Sequence, residues 1–215
     1  MRKSIKPRRY DSSARRAAAQ IKRRSILDCA RSLFLEKGYT ATTMPAIARA
    51  ADVALDTVYA SVGTKAELFR LLVEAALSGR DEATPADERD YVRAIRAEPD
   101  AARKLRIYAT ALGEIQPRLA PLFQVLQAAA SLDSDLNALW QEISRRRAVN
   151  MRLLSKNLAA TGRVRADFSA STVADILWSM NSPEFYLLLV DQRGWSAETF
   201  GLWLADAWIR LLLKS

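Results

Sequence analysis

The sequence predicts an all-α protein, and three observations carry that prediction. Ala, Leu and Arg are abundant, and runs of alternating β-branched residues are few. The 215 residues include only seven Gly and seven Pro. Half of the residues are apolar and 27% are charged, so the chain can bury a sizeable core. We expect a small amino-terminal head joined to a larger helical body.

The excess positive charge lies in the first 24 residues. This segment holds ten Lys or Arg and one acid, Asp11, and so accounts for the formal net charge of +9 of the whole chain. We interpret residues 1–21 as a flexible basic arm. Basic residues that bind phosphates release condensed counterions, which favours DNA as the partner. A membrane surface and a solvated tail that only aids solubility are the alternatives.

The residue types that are scarce exclude much of enzymology. The sequence has no His and a single Cys, Cys29. Ser-His and Cys-His nucleophile pairs, an intrachain disulfide and a Cys-cluster zinc site are therefore excluded. We predict a protein that is not an enzyme, with no cofactor and no metal.

The location of the protein is predicted from its apolar segments. The basic start leads into "ARRAAAQIKRRS", which lacks the apolar run of a signal peptide. The longest strongly apolar stretch, "FYLLLV" at 185–190, is far shorter than the roughly 20 residues that span a bilayer. We expect a cytoplasmic protein with no membrane partner.

Residues 22–79 have the pattern of four helices. The segment "SILDCARSLFLEKGY" lines one helical face with apolar residues, and Gly38 follows where a helix needs a left-handed closing residue. Thr42 and Thr43 can cap a second helix, "MPAIARAA", and third and fourth helices are predicted at 55–61 and 65–77. A helix, a tight turn and a second short helix make a helix-turn-helix.

This region resembles the DNA-binding head of the TetR (tetracycline-repressor-like) family. The resemblance covers residues 22–69 and is carried by Gly38-Tyr39, Thr43, "IARAADV", "TVY" and "GTKAEL". It implies a homodimeric repressor whose second domain binds a small molecule that releases the DNA. Beyond residue 80 the resemblance is only architectural.

Four positions depart from the family pattern. Asp52 stands where the family usually has the turn Gly, and Asp tolerates the left-handed conformation at modest cost. Ala54 stands where Ser usually caps the third helix, so that helix lacks a side-chain cap. Ser61 and Val62 replace an aromatic pair, which removes a ring from the expected DNA side.

The resemblance and the chemistry of groove recognition assign candidate DNA contacts. Leu55 is expected to touch a thymine methyl group and Asp56 to accept from cytosine N4. As alternatives, Thr43 only caps a helix, Tyr59 lies in the core with a wet hydroxyl, and Asp56 only serves the helix dipole. The predicted contacts to the DNA backbone are Thr43, Thr57, Tyr59 and Lys65; those to the groove are Ala54, Leu55, Asp56, Ala60 and Ser61; those of the basic segment 1–24 are Arg8, Arg9, Arg23 and Arg24.

The second module, residues 80–215, is predicted as a helical effector-binding and dimerisation domain. Pro183 is expected to bend or split the penultimate helix. The cluster "SRRR" at 144–147 is expected to lie mainly in water. Helices are predicted at 86–97, 100–115, 118–131, 134–160, 170–192 and 197–213, with breaks at Pro99, Pro117, Gly162 and Gly194.

The last two predicted helices are apolar nearly all round. One core cannot use every face of such a helix, so a twin subunit that adds two more helices would form a four-helix interface. The pattern thus predicts a homodimer through the last two helices. Its two recognition helices would read an inverted-repeat operator.

A small-molecule effector of unidentified structure would lie among the helices of residues 100–190. Plain core is the alternative for each candidate. An effector-independent architectural DNA binder, or a helical enzyme, is the alternative for the whole protein. The candidate lining residues are Tyr108, Phe123, Trp140, Asn150, Met151, Trp178 and Asn181.

Overall fold

The structure is a computed structural model that describes residues 12–79 and 84–214, with side chains from residue 16 onward. Its described part contains ten α-helices and no β-strand, which confirms the predicted all-α class. The predicted module boundary at residue 80 lies outside the described residues. The head comprises α1 (Ser12–Ala41), α2 (Met44–Ala50), α3 (Leu55–Val62) and α4 (Lys65–Ser78).

The body contains six α-helices. A short 3₁₀ turn, Ala86–Glu88, precedes them. They are α5 (Asp90–Ala97), α6 (Ala101–Ala130), α7 (Ser134–Ala159), α8 (Ala170–Met180), α9 (Pro183–Val190) and α10 (Ala197–Leu212).

Local signals place the ends of the head helices. Gly38 has a positive φ of 76° and interrupts α1 three residues before its end. Thr43 caps α2 by accepting from the amide of Ala46 at 3.3 Å. Asp52 adopts φ 52°, and Ala54 begins α3 without a side-chain cap, so the predictions for both positions are confirmed.

The amino-terminal helix is longer than the sequence pattern predicts. It begins at Ser12, so residues 12–21 are helical rather than part of a flexible arm. The Ala-rich run in this segment consists of good helix formers, which let α1 extend amino-terminally beyond the head core. Arg8 and Arg9 lie outside the described residues.

The body differs from the predicted helices at two places. Pro117 does not break a helix, because α6 continues through both Pro117 and Pro121. A mid-helix Pro forfeits one backbone hydrogen bond, and the burial of Ile115 and Leu119 on either side of Pro117 offsets that loss. The predicted helix at 86–97 is instead the 3₁₀ turn followed by α5.

The junction between α8 and α9 follows the prediction. Pro183 splits the penultimate helix there, and Ser182 caps α9 by accepting from the amide of Phe185 at 3.0 Å. The break turns Asn181, at the end of α8, into the interior of the body, where it is buried.

Two apolar cores meet along α6. The head core contains the packed rings of Phe34, Tyr39 and Phe69, with centroids 5.1 to 5.6 Å apart. It continues into residues such as Leu122 of α6 and Leu139 of α7. The body core surrounds Trp208 of α10 and the other face of α6. Helix α6 therefore links the head to the body.

Two ion pairs join α4 of the head to α7 of the body. Arg70 donates to Glu142 at 2.5 Å, and Arg146 donates to Glu74 at 2.5 Å. A second contact of 3.5 Å joins Arg146 to Glu142 on α7 itself. The last helix of the head is thus held against the body by paired charges as well as by the shared core.

Candidate nucleic-acid interface and ligand cavity

Helix α3 has one buried and one exposed face. Val58 and Val62 are buried in the head core, whereas Tyr59 is 48% exposed. Tyr59 is therefore not a core residue, and that alternative does not hold. Of the residues predicted to face the groove, Ala54, Leu55, Asp56 and Ala60 are exposed, and Ser61 is partly buried, as is the predicted backbone contact Thr57.

The amino-terminal ends of α2 and α4 carry exposed Thr caps. Thr43 is exposed, and its hydroxyl already accepts from the amide of Ala46. At α4, Thr64 accepts from the amide of Glu67 at 3.2 Å, while the Glu67 carboxylate accepts from the amide of Thr64 at 2.7 Å. The hydroxyl of Thr43 can donate its hydrogen to a phosphate while it caps α2, so its two predicted roles are compatible.

Lys65 lies at the start of α4 with its ammonium group over an aromatic ring. The Nζ atom is 4.1 Å from the centroid of Tyr39. Burial lowers the pKa of Lys65, and the nearby Asp133 carboxylate opposes that shift. Burial, with help from Asp133 and Asp135, raises the pKa of Tyr39 to about 12. The Tyr39 ring therefore stays neutral and positions the ammonium group of Lys65 at the amino-terminal end of α4. The helix dipole also stabilises a phosphate at this end.

Two basic residues of α1 occupy different surroundings. The guanidinium of Arg23 donates to the backbone carbonyl of Ser61 in the last turn of α3, so Arg23 ties α1 to α3. The predicted DNA contact of Arg23 stays a prediction. Arg24 is exposed.

A cavity of about 850 Å³ lies inside the body, between the end of α4, the 3₁₀ turn and helices α5, α6 and α7. The junction between α8 and α9 closes one side of it. Leu77 of α4 lies in its wall, so the cavity touches the head helix that bears Lys65 at its other end. Four of the predicted lining residues are found there, namely Tyr108, Asn150, Met151 and Asn181.

Three other predicted lining residues lie outside the cavity wall. Phe123 and Trp140 pack on each other in the head core, with centroids 4.5 Å apart. The Trp178 indole N–H donates to the carbonyl of Ser144 at 3.4 Å, and its ring lies under the guanidinium of Arg147. These side chains are used for packing between helices, which was the open alternative for each of them.

The sequence pattern missed the charged residues of this cavity. The cluster at 144–147 was expected in water, yet only Arg145 of its three Arg residues is exposed. Arg146 pairs with acids, and both Arg146 and Arg147 line the cavity. A signal for Arg147 was present, because it stands four residues after Ile143 and four before Met151, on the apolar face of α7.

Asn181 organises the polar end of the cavity. Its Oδ1 atom accepts from Nε and Nη2 of Arg147 at 3.2 and 3.0 Å. Its Nδ2 atom donates to the hydroxyl of Tyr108 at 2.8 Å, and its backbone carbonyl accepts from Nε2 of Gln116 at 2.8 Å. Burial raises the pKa of Tyr108 and lowers that of Arg147.

The described ranges contain neither a candidate metal site nor a candidate membrane-spanning helix. Residues 12–79 and 84–214 hold no group of three or more His, Cys, Asp or Glu side chains that could bind a metal ion. None of the helices in these ranges is both long enough and apolar enough to cross a lipid bilayer.

Comparison with known proteins finds one family and a set of similar folds. Residues 26–72 match the family model described as bacterial regulatory proteins, tetR family. A search of curated proteins gives no match. The matched segment contains all of α2 and α3, and the predicted DNA contacts from Thr43 to Lys65 lie within it.

Solved structures resemble nearly the whole chain. NalD from Pseudomonas aeruginosa, the secondary repressor of the MexAB-OprM multidrug efflux pump, has a TM-score of 0.70 at 23% identity over 93% of this chain and 99% of its own. SmeT in complex with triclosan has a TM-score of 0.63 at 19% identity, covering 91% and 93%. A protein of Saccharomonospora viridis in complex with choline has a TM-score of 0.66 at 18% identity, covering 91% and 100%. At these identities the likeness establishes the fold.

Proposed function

We propose that this chain, whose residues 26–72 match the tetR family of bacterial regulatory proteins, is a homodimeric repressor. It reads an inverted-repeat operator and is released from DNA by a small-molecule effector. The observation that carries this proposal is the exposed face of α3, which presents Leu55, Asp56 and Tyr59 beside the capped ends of α2 and α4. An exposed helix of this kind fits the major groove.

The basic amino terminus supplies the non-specific part of the affinity. Residues 1–24 carry the formal excess charge of the chain, and phosphates attract this charge whatever the base sequence. The face of α3 then selects the bases. Affinity and selectivity are in this way assigned to different parts of the head.

The dimer uses the exposed apolar residues of α9 and α10. Leu202 is 67% exposed, and Leu188, Trp203 and Leu211 are also exposed. Their spacing along two neighbouring helices makes a surface that a second copy covers in a four-helix interface. A two-fold axis between the copies presents two α3 helices to the DNA, which requires an operator with inverted symmetry.

The effector acts through the cavity, which supports a regulator rather than an enzyme. The wall of the cavity contains Leu77 of α4 and Arg146 of α7, and Arg146 pairs with Glu74 of α4. A ligand whose affinity for the cavity differs between two arrangements of α4 shifts the head toward the arrangement that it binds more tightly. The relatives solved with triclosan and with choline support a small organic molecule as the ligand.

The test is selection of operator sites from genomic DNA of the source organism with the purified full-length protein at moderate salt. The bound fragments are sequenced, and the selection is repeated with Tyr59→Ala and with the control Leu132→Ala, which changes an exposed residue at the α6–α7 turn. We expect a shared inverted repeat with the unaltered protein and the control, and none with Tyr59→Ala. Salt-sensitive binding without a motif contradicts the proposal and indicates an architectural DNA binder.

A further inference from the structure

One partly buried cation of the cavity, Arg147, forms no salt bridge with a described acid. Arg147 donates to Asn181 and, through Nη2, to the carbonyl of Trp178 at 2.6 Å, while its guanidinium lies 4.9 Å from the centroid of the Trp178 ring. These contacts fix its orientation. No carboxylate of the described residues forms a salt bridge with it, although the charge of Glu184 acts on it from a distance. A guanidinium in such a wall favours an anion.

Tyr108 and Gln116 add an unused donor and an unused acceptor beside this cation. The hydroxyl of Tyr108 accepts from Asn181, so its own hydrogen remains available to a ligand. The amide of Gln116 is oriented by its bond to the Asn181 carbonyl, and its Oε1 atom is buried with no hydrogen-bond partner among the described residues. Both residues line the cavity, and both are bonded to the same Asn181 as Arg147.

The charges in the cavity wall are strongly unequal. Among the described residues, the wall contains five basic side chains and one acid, Asp87. Arg146 is balanced by Glu74 and Glu142, and Arg96 and Lys156 are exposed to water. Two cations of the wall therefore remain for the interior, namely Arg147, which is partly buried, and Arg89, which is buried. The potential inside the cavity favours negative charge.

The remainder of the wall is apolar. Ile115 and Leu119 of α6 face Ile143 and Leu154 of α7 across the cavity, and Ile95 of α5 adds a further side. These side chains are buried and have no polar atoms. An extended hydrocarbon body fits against them, because each buried methylene contributes about 0.8 kcal/mol to binding.

We propose that this cavity binds an amphipathic organic carboxylate with an extended apolar body, whose carboxylate meets Arg147 and the Tyr108 hydroxyl. A hydroxyl group near the carboxylate donates to Gln116 Oε1. The inference rests on the proposed function, since it specifies the chemical class of the effector for the same cavity. A long-chain 3-hydroxy acid combines these three features.

The experiment measures binding of matched ten-carbon probes to the full-length protein without DNA, by isothermal titration calorimetry. The probes are decanoate, decan-1-ol, decan-1-amine and 3-hydroxydecanoate. We expect decanoate to bind at least tenfold tighter than the alcohol or the amine, because hydrogen bonds between charged groups are about twice as strong as neutral ones. We expect 3-hydroxydecanoate to bind at least threefold tighter than decanoate.

Two matched variants locate the carboxylate. Arg147→Gln is expected to abolish the preference for decanoate over decan-1-ol, and Arg145→Gln is expected to keep it, since Arg145 is exposed on the same helix and lies outside the cavity wall. Circular dichroism checks that each variant folds. Tyr108→Phe, which removes only the hydroxyl, is expected to reduce the preference for decanoate over decan-1-ol. This variant replaces Arg147→Gln as the test if Arg147→Gln does not fold.

The ranking of probes by the unaltered protein decides the inference without any variant. Binding of none of the probes, an equal or reversed ranking, or a preference that survives Arg147→Gln in a folded protein overturns it. The operator selection uses no ligand, so it tests the proposed DNA function separately. If the ranking holds but decanoate leaves operator affinity unchanged, the inference stands and the effector-release part of the proposed function fails.

Discussion

At the scale of single residues, Asp56 and Lys65 separate base recognition from phosphate binding. We expect Asp56→Ala to change the preferred base at one operator position, with about 1–3 kcal/mol less discrimination there, because a carboxylate accepts specifically from cytosine N4. Lys65→Met should weaken all sites alike and reduce the salt slope by about one. Titration of operator variants at several salt concentrations measures both. Equal losses across all base variants for Asp56→Ala contradict the assignment.

Ala54 is a second residue whose effect is predictable from local geometry. It occupies the N-cap of α3 with extended backbone angles and no side-chain bond to the helix. Ala54→Ser should raise the free energy of unfolding by about 1 kcal/mol, since the new hydroxyl accepts from an unpaired amide. Urea denaturation measures the change. Ala60→Ser, exposed within the same helix, is the control and should give no gain.

At the scale of secondary-structure elements, α6 and α10 cross at two glycines. A Cβ atom on Gly201 would lie 3.2 Å from the carbonyl oxygen of Ala109 and 3.8 Å from the Cα of Gly113. Gly201→Ala favours the helix by about 1 kcal/mol, and we expect the crowded backbone to cost more, with a net loss of about 1 kcal/mol. Thermal unfolding tests this, with Thr110→Ala at an exposed position of α6 as control. A raised melting temperature for Gly201→Ala would show that the helices separate freely.

The contact between α4 and α7 predicts a pH dependence. The hydrogen bond from Arg70, with further charge from Arg146, holds the pKa of Glu142 below its ordinary value of 4.5. The unfolded chain binds a proton at Glu142 more readily, so this contribution to stability is complete above pH 4.5 and is lost as the pH falls through the lower folded pKa.

We therefore expect Glu142→Gln to reduce the loss of stability between pH 6 and pH 3.5, measured as the shift of the urea midpoint. Glu114→Gln is the control, because Glu114 is exposed and makes no ion pair with another described residue. Equal shifts for Glu142→Gln and the unaltered protein would show that the ion pairs of Glu142 add nothing to stability in water.

At the scale of the whole molecule, the apolar surface of α9 and α10 predicts the oligomeric state. We expect Leu202→Glu to convert the dimer to a monomer, because it places a charge in the proposed interface, and to weaken operator binding at least tenfold. Analytical ultracentrifugation and DNA titration measure the two effects. Leu132→Glu is the matched control, since Leu132 is 82% exposed at the distant α6–α7 turn. A Leu202→Glu protein that remains a dimer contradicts the interface.

Much of the head could be predicted because its signals are local. Gly38, Thr43 and Asp52 each determine the backbone within a few residues, and the structure has the predicted turn or cap at each one. The alternation of buried Val58 with exposed Tyr59 likewise follows from helical spacing. Predictions of this kind require no knowledge of what the helix packs against.

The cavity could be predicted only in part. Tyr108 and Met151 combine apolar bulk with a polar atom, which suits a pocket wall, and both line the cavity. Phe123 and Trp140 are also large apolar side chains at helical spacing, yet they pack on each other. Residue type cannot distinguish a pocket from a core, since both need buried side chains on the same helical face.

By itself, the sequence determined the helical class, the helix-turn-helix and the concentration of positive charge at the amino terminus, because periodicity, caps and composition are local properties of the chain. Only the tertiary structure decided that α6 continues through Pro117, that Arg23 bonds to the end of α3, and that Arg147 enters the cavity to meet Asn181. Each of these depends on contacts between residues distant in sequence. Packing energy from such contacts outweighs the local preference of a Pro or an Arg.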